Sequence, residues 1–303
     1  MKWRNIFLFL PILAVTACVL QPPPSDLVWV PGEKRYISQS EALERLAKAP
    51  VVLLGESHDN AGHHRLQAFV VAELAARGQK RALAIEMIDR DRQGKVEDIQ
   101  SLRPAKADGF RTSLDWDKSG WPDFAIYAPV FQAGLDAGWP IRAANLPKSL
   151  MKGAGKPGGL EAAEETLLGL HLSLPPGASE DLKQELIDGH CGLLPESSLP
   201  AMMRIQIARD GAMAQTLLEN PPKDGAVLIA GAGHVRTDRA VPFHIASLRP
   251  GLKVMSLAFR EQTVPPSPPE SESWPYDLVW FTPAQPEVDH CAGLKKTLEK
   301  KGK

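Results

Sequence analysis

Five short, mainly apolar runs recur along this chain, separated by stretches with helical periodicity, and that alternation limits the fold more than any other feature. The runs are Val51–Leu54, Ala82–Ile85, Ile141–Ala144, Ala226–Ala230 and Val254–Ala258. Strands with one wet face alternate polar and apolar residues. Runs without that alternation instead suit strands covered on both sides, as in a parallel sheet. Between them, Ser38 and Glu41 form a capping box that opens a helix to about Lys48, ended by Pro50. Further helices are predicted over 63–77, closed by Gly78, over 125–137 and over 200–219. The whole pattern predicts a three-layer α/β/α fold with a mainly parallel central sheet over residues 33–262. Residues 153–159 read as a mobile loop before a helical region at 161–171. The Pro-rich segment 263–272 closes the core domain. Within the remaining tail to residue 303, Leu278–Phe281 is expected as an edge strand and 295–303 as a frayed basic end.

The chain begins with Lys2 and Arg4, then the largely apolar run Ile6–Val15, then Val15-Thr16-Ala17-Cys18. A positive start, a short apolar run and small residues before the break mark a secretory signal over 1–17. The run is far below the roughly 20 residues of a spanning helix. Cleavage before a cysteine is the lipoprotein variant, so Cys18 is expected to carry acyl chains such as palmitate. Residues 18–32, with Gln21-Pro-Pro-Pro-Ser25, then form a tether between membrane and domain. Val19 rather than aspartate follows Cys18, which fits retention at the outer membrane. A net charge of −1 supplies no broad field for nucleic acid. Two other cysteines remain, Cys191 and Cys291. In an oxidising compartment such a pair is more often a disulfide than a metal site.

In open parallel sheets the ligand site lies beyond the carboxyl ends of the strands, so the residues after each run are the candidates. The first run leads into Gly55-Glu56-Ser57-His58, then His63 and His64. The second leads to Glu86 and Met87, the third to Asn145, and the fourth to Gly231-Ala232-Gly233-His234 with Arg236 close behind. Gly-x-x-His thus occurs twice, each time after an apolar run, where glycine would allow the backbone to turn sharply. Gln206, Asp210 and Met213 share one helix face, where they would support the site from behind.

Gly55-Glu-Ser-His-Asp-Asn60 with His64, Ala84-Ile-Glu-Met87, Ala144-Asn-Leu-Pro147, Gln206-x-x-x-Asp210 with Met213-Ala214, and Gly231-Ala-Gly-His-Val-Arg236 together resemble the ChaN-type haem-binding uptake lipoproteins. The same strand ends resemble a wider group containing Tiki-type metalloproteases and erythromycin esterases. The resemblance implies a haem-binding outer-membrane lipoprotein that assists iron acquisition. It also implies an iron ligand that is a tyrosine, a haem-linked homodimer and an outer-membrane haem receptor as partner. Of Tyr36, Tyr127 and Tyr276, the choice falls on Tyr127. It lies in Trp116–Trp139, a stretch holding six of the 19 aromatics, which serve equally well as core or as cover for a macrocycle. Arg236, His63 and His64 are the expected propionate donors. The alternative is hydrolysis, in which Glu56, His58, Glu86 and His234 act as acid and base or bind zinc or manganese.

Overall fold

The computed structural model describes residues 26–262, 269–286 and 290–301. The signal segment, Cys18 and the Pro-rich tether up to Ser25 lie outside the described residues. The order begins β1 (Leu27–Val30), β2 (Arg35–Ser38), α1 (Gln39–Ala47), β3 (Val51–Glu56), α2 (Ala61–Ala76) and β4 (Ala82–Asp89). It continues with α3 (Gln93–Ser101), α4 (Asp108–Ser113), α5 (Phe124–Asp136), β5 (Ile141–Asn145), α6 (Lys148–Ala154), α7 (Ala162–Leu167) and α8 (Ala178–Gly189). The remainder is α9 (Leu199–Leu218), β6 (Ala226–Gly231), α10 (Ala240–Leu248), β7 (Val254–Glu261), β8 (Leu278–Thr282) and α11 (His290–Lys301).

All eight strands form one sheet in the order β2-β1-β8-β7-β3-β6-β4-β5. From β8 to β5 every neighbouring pair is parallel, and only β1 runs antiparallel to its neighbours. The five apolar runs become β3 to β7, and β3 and β6 are buried at every position. Side chains alternate between two cores. Val52, Leu54, Leu83, Ile85, Val227 and Ile229 face the layer of α1, α2 and α5. Leu53, Ala84, Leu228 and Ala230 face Met213 and Leu217 of α9 and Ile245 of α10. Each fully buried leucine or isoleucine contributes about 1.5–3 kcal/mol relative to exposure. Alanines on the second face leave room for α9 to lie close to the strand ends.

Ser38 caps α1 by accepting from the Glu41 amide at 3.1 Å, as the capping box predicts. Two expectations for the tail need correction. β8 is not an edge strand, because the hairpin β1–β2 pairs beyond it. The segment expected to fray is helical to Lys301 in α11. True edge β5 is protected differently: Gln93 and Gln100 of α3 accept from the Ala143 and Ile141 amides at 2.7 and 2.9 Å, replacing a ninth strand. Cys191, just after α8, is bonded to Cys291 in the first turn of α11, with Cα atoms 5.7 Å apart. Among the described residues, no helix is long and apolar enough to cross a membrane.

Candidate functional site

β3, β4, β5 and β6 are neighbours and point the same way, so the polar residues at their carboxyl ends reach one rim. Two glycines allow this, for a reason other than the expected sharp turn. Gly231 has φ −59° and ψ 147°, open to any residue. Its role is space: a Cβ there would stand 2.8 Å from His58 Nε2. Gly55 is its counterpart, since a Cβ there would stand 3.0 Å from Ala232 Cα and collide with Val235. Each Gly-x-x-His turn therefore folds over the glycine of the other. The two motifs interlock.

Glu86, fully buried, is the hub. Its Oε2 accepts from the Gly231 amide at 2.7 Å. Its Oε1 meets Arg209 Nη2 at 2.5 Å, His234 Nε2 at 3.4 Å and His58 Nε2 at 3.8 Å. On the far side of His234, Nδ1 lies 2.6 Å from Asp210 Oδ1. On the far side of His58, Nδ1 lies 2.9 Å from Glu56 Oε1. Asn145 Oδ1 and Gln206 Oε1 accept from Arg209 at 2.9 and 2.8 Å and hold its guanidinium on Glu86. Carboxylate, imidazole, carboxylate, imidazole and carboxylate thus follow one another from Glu56 to Asp210.

That alternation sets the protonation states. Burial pulls His234 down, but Glu86 and Asp210 outweigh it and carry its pKa up to about 9. For His58, too, burial acts downward and is outweighed by Glu86 and Glu56, leaving a raised value. Burial pushes the Glu86 carboxyl up, yet His234, His58 and Arg209 hold it well below the usual carboxylate range. The rim can hold a proton on the His234 imidazole at neutral pH, with both histidines facing one carboxylate.

Glu56, His58, Glu86 and His234 therefore converge as the strand order implied. Of the expected haem contacts, Tyr127, His63 and His64 meet the Ser57–His58 loop from its buried side, and Arg236 stands apart in its own ion pairs. Tyr127 is sealed in the core between Trp116 and His64, with ring centroids at 5.1 and 4.0 Å. Its hydroxyl donates to the His58 carbonyl at 3.0 Å, and burial with Glu56 and Glu86 nearby pushes the phenol far above its ordinary value. In this arrangement Tyr127 positions the His58 loop. His63 is buried and accepts from the Ser57 amide at 3.0 Å; burial lowers its pKa to about 4, so it carries no cation for a propionate. His64 is also buried. Its Nε2 faces the His58 carbonyl at 3.1 Å, and its Nδ1 lies 2.7 Å from Glu56 Oε2 without hydrogen-bond alignment. Arg236 is paired with Asp238 at 2.6 Å and Asp181 at 3.1 Å, which offsets its charge. As for zinc or manganese, among the described residues no group of three or more His, Cys, Asp or Glu side chains is arranged to hold a metal ion.

Two contributors escaped the sequence reading. Arg209 sits one residue from Asp210 on α9, and its role shows only once α9 packs behind β4. Trp121 stacks on His58 with centroids 4.9 Å apart. His58 keeps a third of its side chain exposed, whereas His234 is almost sealed. Beside Trp121 an open cleft runs along the end of β4. Trp121 and the edges of Met87 and Trp116 line it, beside the cations Arg92, Lys118 and Lys148 and the carboxylates Asp89 and Asp115.

A family model described as haem-binding uptake, Tiki superfamily, ChaN matches residues 42–245. A solved structure of cofacial haem binding to ChaN of Campylobacter jejuni is similar at 22% identity, covering 84% of this chain and 95% of that one, with a TM-score of 0.67. Looser likenesses are a mutant erythromycin esterase in its open conformation, at 15% identity, 83% and 80% coverage and TM-score 0.41, and the type III effector HopBA1, at 11%, 87% and 100% and 0.44. No curated protein sequence matches. The family match covers more than half of the chain and takes in all four strand ends that build the rim. This chain belongs to the haem-binding uptake family of the Tiki superfamily, ChaN.

Proposed function

We propose that this protein binds haem in the cleft beside Trp121 and His58, and serves haem and iron acquisition at the outer membrane, held there by acyl chains on Cys18. The observation that carries the reading is the family match over 42–245, which encloses both the polar rim and the cleft. Trp121 supports it, since stacking on its indole would remove one macrocycle face from water. Lys148, Arg92 and Lys118, the last by leaving its 3.3 Å pair with Asp115, are the cleft groups that would take propionates. His58 is the rim imidazole with an exposed face, and Glu56 and Glu86 orient it. Haem supplies the iron chemistry; the chain binds, orients and shields it. A haem-linked homodimer and delivery to an outer-membrane haem receptor belong to the same proposal.

Haemin titration of the detergent-solubilised full chain tests this reading. A saturable change in the haem spectrum is expected, with His58→Ala and Trp121→Ala each weakening binding about tenfold or more, roughly the loss of one good contact. Absence of a saturable complex in the wild type would sink the proposal. A second reading is acid–base hydrolysis, favoured by the 2.6 Å contact of His234 with Asp210 and the shared Glu86. It predicts haem-independent cleavage of an ester or peptide that is lost in Glu86→Gln.

A further inference from the structure

A second charged corner lies on the β6 side of His234, away from the haem cleft, at the start of α10. Arg239 is 3% exposed, yet its Nε has no hydrogen-bond partner. Its Nη2 meets one group, Glu185 Oε2, which reaches in from α8 and keeps nearly half of its side chain exposed. The same carboxylate lies against Gly233, where a Cβ would collide with Glu185 Oε1. The first turn of α10 has no side-chain cap. Ala240, buried and not a glycine, is held there at φ +64°. Such strain persists where surrounding structure enforces it, and it concentrates at functional sites. Arg236, the neighbouring cation, is already offset by Asp181 and Asp238.

A buried arginine whose Nε has no partner, beside a glycine that leaves space for a carboxylate, can receive an oxyanion. In this structure a carboxylate fills it, but that carboxylate belongs to a partly exposed side chain on a helix at the surface. The pair buries the arginine and leaves its partner nearly half exposed. We propose that the Arg239–Gly233 corner is an anion subsite, that Glu185 is its displaceable internal occupant, and that the ligand it accepts carries a carboxylate or phosphate group next to His234. Entry of that group would release Glu185 and loosen the hold of α8 on the rim.

The sign of one substitution decides the matter. Glu185→Gln removes the internal competitor without touching the buried arginine. Thermal unfolding of the full chain would be followed at pH 7 and constant ionic strength, with inorganic phosphate or acetate replacing chloride. For Glu185→Gln, one of these anions should raise Tm by at least about 3 °C at saturation. Wild type should need a several-fold higher concentration for the same rise. Glu185→Gln with Arg239→Gln should lose the response. Saturation by phosphate alone assigns a phosphate ligand, and saturation by acetate alone a carboxylate ligand. If Glu185→Gln is less stable than wild type and neither anion restores it beyond chloride, the pair is structural and the subsite does not exist. Neither anion reports on haem, so failure of the haem titration leaves this result standing.

Discussion

The ends of β3 and β6 carry the same four-residue pattern, reach the same Glu86, and end in opposite states. At β3, His58 is open on one side and stacked on Trp121. At β6, His234 is closed between Glu86 and Asp210. What differs is the element each strand end meets. Helix α9 lies along the alanine-rich face and brings Asp210 and Arg209 against β6 and β4. The β3 end faces the loop before α5, which brings an indole and leaves an opening. A motif thus determined where each histidine would stand, and the neighbouring layer determined what each can do. An exposed imidazole suits ligand contact, and a sealed one suits holding charge.

The largest test of that contrast removes the shared hub. Glu86→Ala would leave Arg209 and two imidazoles without their common carboxylate, and breaking a buried charge cluster costs about 3–5 kcal/mol. Denaturant unfolding should show that loss. His234→Ala, which empties a sealed position beside Asp210, should cost more than His58→Ala, because the His58 ring is itself a third exposed and its removal lets water reach the carboxylates it covered. Equal losses for the two histidines would break the distinction between an open and a closed strand end.

A smaller effect should appear in the pH dependence of stability. His234 has a folded-state pKa of about 9 against an ordinary 6.5, so its contribution is complete below 6.5 and is lost as pH rises toward 9. The raised His58 acts in the same direction. Glu86, held low, contributes above its ordinary 4.5 and loses that contribution as pH falls below it. Stability should therefore be greatest between these limits, with an alkaline decline. Asp210→Asn should bring the His234 value down toward 6.5 and shrink that decline, read by NMR titration of the imidazole. An unchanged titration would mean that Glu86 alone sets its charge.

Much of this arrangement is legible without coordinates, because apolar runs and the residues after them are local features. The five runs became parallel strands, and the polar residues following four of them met at one rim. What could not be read depends on contacts between distant segments. His63 and His64 look like their neighbour His58 in sequence, but they lie inside α2 on its buried face, where Thr282 and Gln67 engage them. Glycine's conformational freedom suggested sharp turns at Gly55 and Gly231; the need is for space between two loops almost 180 residues apart, about which local sequence is silent. β8 resembles an edge strand because its partner β1 comes from the other end of the chain. Arg209 resembles any surface arginine until α9 docks. Tyr127 drew attention through its aromatic neighbours, and those same neighbours bury it.

The smallest expected effect concerns that tyrosine, and it separates positioning from ligation. Tyr127→Phe keeps the ring that packs on Trp116 and His64 and removes only the hydroxyl. The His58 carbonyl keeps a second contact, from His64 Nε2 at 3.1 Å. The loss is then the hydrogen bond to that carbonyl and a longer 3.4 Å contact with His58 Nδ1, about 1 kcal/mol of stability. Haemin affinity should change by no more than about twofold, because the hydroxyl meets the His58 carbonyl and, at 3.4 Å, the Nδ1 edge that Glu56 already holds, and leaves the Nε2 edge untouched. If Tyr127→Phe instead abolishes the haem spectrum while the protein stays folded, the phenol must leave the core to meet iron. The β3 end would then be open in a deeper sense than its present geometry, with the His58 loop swinging away from α5 on binding. Hydrogen exchange at the amides of 57–60 distinguishes the two: protection retained on haem addition supports the fixed loop, and protection lost supports the swing.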